Sequence, residues 1–123
     1  MFAISDSTIP GRRIPVVVLI TPGAALLAVC EKVVHYLDEV PTVKVADLVT
    51  ASTIIAEWRP FAVVIPEPVF AFDPEEFASL ARSVGAHVLV VETENASTAL
   101  VGRLFPKLNA ALASWEARRG GSP

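Results

Sequence analysis

Three glutamates, Glu67, Glu92 and Glu94, each follow a run of apolar, β-branched residues, and by type they are the side chains best suited to chemistry. Glu67 comes directly after Phe61-Ala62-Val63-Val64-Ile65-Pro66. Glu92 and Glu94 come after His87-Val88-Leu89-Val90-Val91. If both runs are parallel strands, these carboxylates gather at the carboxyl edge of the sheet, where open α/β folds bind ligands. Grouped carboxylates there can hold a cation or act as a general acid and base pair. The competing reading is a set of solvated loop carboxylates that need no partner. Thr21-Pro22-Gly23 follows a further apolar run and would bring Thr21 to the same edge. A helix opening at that point is a place where phosphate docks. The segment has neither the glycine-rich loop and lysine of a P-loop nor the three-glycine dinucleotide fingerprint, so a tight turn is the simpler reading.

The remaining reactive side chains are sparse. Cys30 is the single cysteine. It can form no internal disulfide and lacks the companions of a zinc site. It falls on an apolar helical stripe, which predicts a buried small hydrophobe. His35 is expected on an exposed helix face, and His87 opens a strand. No serine has a base nearby in the sequence, so no nucleophilic triad is indicated. These residues predict a chain that is not an enzyme and uses no metal or cofactor.

The elements that must position these groups are legible from periodicity. Residues 1–12 mix Ser, Asp, Thr, Pro and Gly and predict a flexible lead. Ile14 to Ile20 is a continuous apolar run that suits a strand buried on both faces. Leu26, Cys30, Val33, Leu37 and Val40 recur at steps of three and four, predicting a helix that Pro41 ends. Val43 to Ala46 is short and alternates, as expected for a strand near a sheet edge. Ala51 to Arg59 predicts a short helix with Ile54, Ile55 and Trp58 facing inward, closed by Pro60. Phe61 to Ile65 is another buried strand, stopped by Pro66 and Pro68. Asp73, Pro74 and Glu76 form a capping-box signature for a helix carrying Phe77, Leu80, Ala81 and Val84, with Gly85 as its stop. His87 to Val91 is a buried strand. Ser97 can cap a last helix reaching about Arg118, with Val101, Leu104, Phe105, Leu108, Leu112 and Trp115 on one stripe and a kink or break at Pro106. Residues 119–123 form a tail. Strands alternating with helices imply parallel pairing through right-handed crossovers. The prediction is one α/β domain over residues 13–118, a three-layer sandwich with strand order 2-1-3-4 and no clear fifth strand.

From Ile14 to about Thr93 the order and spacing of elements resemble the receiver domain of bacterial response regulators, a flavodoxin-like scaffold. The most specific piece is Trp58-Arg59-Pro60-Phe61-Ala62-Val63-Val64-Ile65-Pro66, which is similar to that family's approach to its phosphate-accepting aspartate. Phe72 to Arg82 stands where its third helix starts. The working residues do not carry over. Thr21-Pro22 replaces the acidic pair, Pro66 occupies the acceptor position, the hydroxyl after the fourth strand falls near Glu92 or Thr93, and Lys107 lies in a helical context. Phosphoryl transfer needs magnesium held by carboxylates and an in-line nucleophile. The resemblance therefore implies a pseudo-receiver, a signalling scaffold that contacts proteins without being phosphorylated. Glu67, beside the acceptor position, could mimic a fixed negative charge, but one carboxylate copies a phosphoryl group poorly.

Composition narrows the partners. Of the 123 residues, 53% are hydrophobic and 19% charged, and the excess of apolar surface must enter a large core or be hidden against another subunit. A net charge of −3 leaves no basic footprint for nucleic acid. The uncharged run from Ile14 to Cys30 after Arg12-Arg13 superficially resembles a secretory or lipoprotein signal. Thr21-Pro22-Gly23 breaks it, and Val29 is a poor residue before a cleavage site, so a cytoplasmic setting without a membrane is expected. The favoured function is protein binding, with homodimerisation through Leu104, Phe105, Leu108, Leu112 and Trp115 of the last helix, through the sheet edge, or both. The alternative is a protein, or an enzyme, that binds a small molecule or metal at the carboxyl edge around Thr21, Glu67, Glu92 and Glu94.

Overall fold

A computed structural model describes residues 15–20, 24–37, 40–92 and 98–120. The elements are β1 (Val16–Ile20), α1 (Ala24–Val34), β2 (Thr42–Ala46), α2 (Ala51–Trp58), β3 (Ala62–Pro66), α3 (Glu67–Phe70), α4 (Pro74–Ser83), β4 (His87–Val91) and α5 (Thr98–Gly120). The four strands form one sheet in the order β2-β1-β3-β4, all parallel. The chain is an α/β three-layer sandwich of flavodoxin-like architecture, as the alternation of elements predicts.

Two cores sandwich the sheet. Side chains alternate across a strand, so Val17 and Leu19 face one core with Val33, Leu104 and Leu108, while Val16, Val18 and Ile20 face the other with Ile55 and Phe77. Every residue of β1 and β3 is buried, which is why both read as unbroken apolar runs. The edge strands differ: β2 is mostly exposed or half-buried, and β4 runs from exposed His87 through three half-buried residues to buried Val91.

The helix ends follow local chemistry. Asp73 accepts a hydrogen bond from the Glu76 amide at 3.3 Å, and Pro74 fills the first helical position, as the capping box requires. Gly85, at φ +74°, makes the left-handed turn after α4, and a Cβ there would lie 3.1 Å from the Arg118 guanidinium. Arg59 takes φ 47° to end α2, donating its amide to the Ile55 carbonyl.

Three expectations need correction, and one short helix is new. The first helix stops at Val34, before Pro41, because Tyr36 and Leu37 bond back three residues and tighten the last turn. Leu37 stays buried beyond the helix, but Val40 is 52% exposed. Trp58 does not face inward. It lies at the exposed end of α2 beneath the Lys44 ammonium. A four-residue helix, α3, follows β3 at once, since Pro68 is tolerated in a first turn where its missing amide would be unpaired anyway. α5 continues through Pro106 without a break. The cap predicted at Ser97 lies outside the described residues, as do residues 1–12. No fifth strand occurs among the described residues, and none of the described helices is long and apolar enough to cross a membrane.

Candidate functional site

The carboxyl ends of β3 and β4 lie in register, Pro66 beside Val91. Glu67 and Glu92 are the residues that follow. Both are exposed, and both line a cleft of about 450 Å³ between the sheet end and α5. Thr21 and Glu94, predicted at the same edge, lie outside the described residues. The opposite wall comes from α5, where Leu100, Arg103, Leu104 and Lys107 recur at steps of three and four and so share one helix face. Leu100 and Leu104 are buried and form the apolar floor, and Arg103 and Lys107 are exposed. Sequence reasoning paired the carboxylates but missed these two cations, although their spacing against Leu100 and Leu104 carries the signal. Among the described residues, no group of three or more His, Cys, Asp or Glu side chains is arranged to hold a metal ion.

The apolar stripe of α5 is placed differently from the interface expected of it. Leu104, Leu108, Leu112 and Trp115 are each 8% exposed or less and belong to the core shared with β1, β3 and α1. The Trp115 ring packs on Phe61 with centroids 6.2 Å apart, and Phe105 lies half-buried against the same cluster. The stripe is covered by this chain's own sheet because that face of β1 and β3 needs a second helix beside α1. The same need explains the buried Leu100 and Ala111, which the sequence reading left out.

Exposed apolar surface lies elsewhere. Seven large hydrophobic side chains are exposed among the described residues, and all but Phe72 fall between Tyr36 and Trp58, the segment that builds the β2 edge. The most exposed is Val49, at 86%, beside Leu48 in the turn after β2. Asp47 fixes this turn. Its Oδ1 accepts from the amides of Val49 at 2.9 Å and Thr50 at 2.8 Å, and from the Thr50 hydroxyl at 3.0 Å. The Thr50 hydroxyl in turn accepts from the Asp47 amide at 3.2 Å. These bonds from Thr50, backbone first, hold the Asp47 carboxyl below its ordinary range. An aspartate three residues before a threonine is a sequence signal for such a turn. The exposure of the two apolar residues between them was not readable from pattern alone.

The buried and reactive groups offer little else. Cys30 is fully buried, and burial, with Glu31 beside it, pushes its thiol up to about 12. His35 is exposed, with Nδ1 2.6 Å from the Glu31 carbonyl oxygen. Comparison with protein-family models, with curated proteins and with solved structures gives no match to this chain.

Proposed function

We propose that this chain is a non-catalytic, receiver-like signalling scaffold that acts by binding protein, with a second copy of itself as the partner, and that it works without phosphoryl transfer. The observation that carries this reading is the Leu48–Val49 tip. Two apolar side chains stand in solvent on a turn whose amides are already hydrogen-bonded to Asp47. A contact surface ordered in advance loses little conformational entropy on binding. Val45 on β2 is a further exposed apolar residue, while Lys44 on the same strand discourages open-ended strand pairing. The absence of phosphoryl transfer is argued from Pro66, which ends β3 at the position where receiver domains carry the acceptor aspartate. On this reading the second copy meets the β2 edge, and the α5 stripe, packed in this chain's own core, takes no part.

Sedimentation of the whole chain against concentration tests the reading. The expected mass is twice that of one chain, falling to a single chain for Val49→Asp, which should still unfold cooperatively on heating. A wild-type chain that stays single at high concentration, or a Val49→Asp chain that still pairs, overturns it.

A further inference from the structure

The cleft at the ends of β3 and β4 lies on the opposite side of the sheet from the β2 edge and does not depend on the reading above. Its charges are sorted. Glu67 and Glu92 come from the sheet side, and Arg103 and Lys107 from the helix side. Among the described residues no ion pair within 4.0 Å joins the two walls. Arg103 and Lys107 are one helical turn apart, about 6 Å along the axis, and lean over the same opening. Between the walls, Leu100 and Leu104 supply an apolar floor. The cleft, about 450 Å³, falls within the range of small-molecule sites.

We propose that this cleft binds a small zwitterion with an apolar side chain, of the amino-acid or dipeptide class. The ligand carboxylate meets Arg103, whose planar fork suits bidentate contact, with Lys107 beside it as a point charge. The ligand ammonium meets Glu67 and Glu92, which provide acceptors only. The apolar side chain rests on Leu100 and Leu104. Neither a plain anion nor a plain cation satisfies both walls, because each leaves one pair of like charges facing it. The four charged groups are exposed, so binding is modest in strength and weakens with salt.

The test is a titration of the isotope-labelled whole chain with L-leucine and with dileucine, read by backbone amide shifts. Saturating shifts confined to Glu67, Val90–Glu92 and Leu100–Lys107 are the expected result. The Arg103→Gln/Lys107→Gln and Glu67→Gln/Glu92→Gln chains should each bind at least about tenfold more weakly, with unchanged thermal unfolding, and blocking either terminus of dileucine should do the same. Three results overturn the proposal: no saturating shift with either probe, equal binding of N-acetylated, amidated dileucine, or retention of affinity in both double variants.

Discussion

The ammonium nitrogen of Lys44 stands 4.1 Å from the centroid of the Trp58 ring. One residue is the centre of an edge strand and the other the last residue of α2, so this contact ties β2 to the helix that follows it. A cation over an indole face is worth about 0.5–1 kcal/mol at an exposed site. Lys44→Met keeps the apolar stem and removes the charge. Urea unfolding should show a loss of about that size, with the Trp58 emission altered and the buried Trp115 emission unchanged. A variant as stable as the wild type means that the contact adds nothing in water.

Leu108 is completely buried between α5 and the sheet. Leu108→Ala should lower unfolding free energy by about 2–5 kcal/mol, through lost burial and the cavity left behind. The loss should be independent of protein concentration, because the side chain packs within one chain. A concentration-dependent loss would return the α5 stripe to an interface role.

Asp47 has its carboxyl held below the ordinary range by bonds from Thr50 and Val49. A depressed folded-state value makes the contribution present above the unfolded-state value and lost as pH falls through the folded one. Amide exchange at Val49 and Thr50 should therefore quicken on acidification, after correction for the intrinsic rate. Asp47→Ala should show the fast behaviour at neutral pH and weaken self-association. If protection at Val49 and Thr50 is the same in Asp47→Ala, the carboxylate does not fix the turn.

Cys30 has its thiol pushed from 9.0 up to about 12 by burial, with Glu31 adding to the effect. The raised value means that the stabilising contribution is full below 9.0 and is lost as pH climbs toward 12. Each pH unit in that window removes roughly 1 kcal/mol. At neutral pH a disulfide reagent should modify the thiol only at the rate of global unfolding, and the rate should rise steeply in urea. Rapid labelling of the folded chain would contradict this burial.

The fold was largely legible in the sequence because parallel strands buried on both faces leave continuous apolar runs. The runs Ile14 to Ile20 and Phe61 to Ile65 marked β1 and β3, although Pro66, expected to stop the second strand, is its last paired residue, and Asp73 with Pro74 marked the start of α4. The errors fall where two environments satisfy one pattern. Val40 continues a helical period, yet the tightened turn at Tyr36 and Leu37 ends α1 first. The α5 stripe has the composition of an interface and of a core alike, and only the position of Phe61 under Trp115 separates the two. Arg103 drew no reading and Lys107 only that of a lysine in a helical context, since a charge on a helix usually marks a solvated face. Their meaning depends on Glu67 and Glu92 arriving opposite them from distant strands.

The central place of β1 has a consequence for synthesis. Its partners β2 and β3 both come later in the chain, and β3 ends only at Pro66. At roughly 5–20 residues per second, a ribosome releases the Val16–Ile20 run several seconds before its second neighbour exists. During that interval the segment is uncharged, β-prone and open along its β3 edge, the composition that seeds intermolecular strand stacking. Expression yield should therefore depend on how quickly residues 21–66 are translated, and slowing the ribosome between Ile20 and Pro66 should send more of the chain into aggregates.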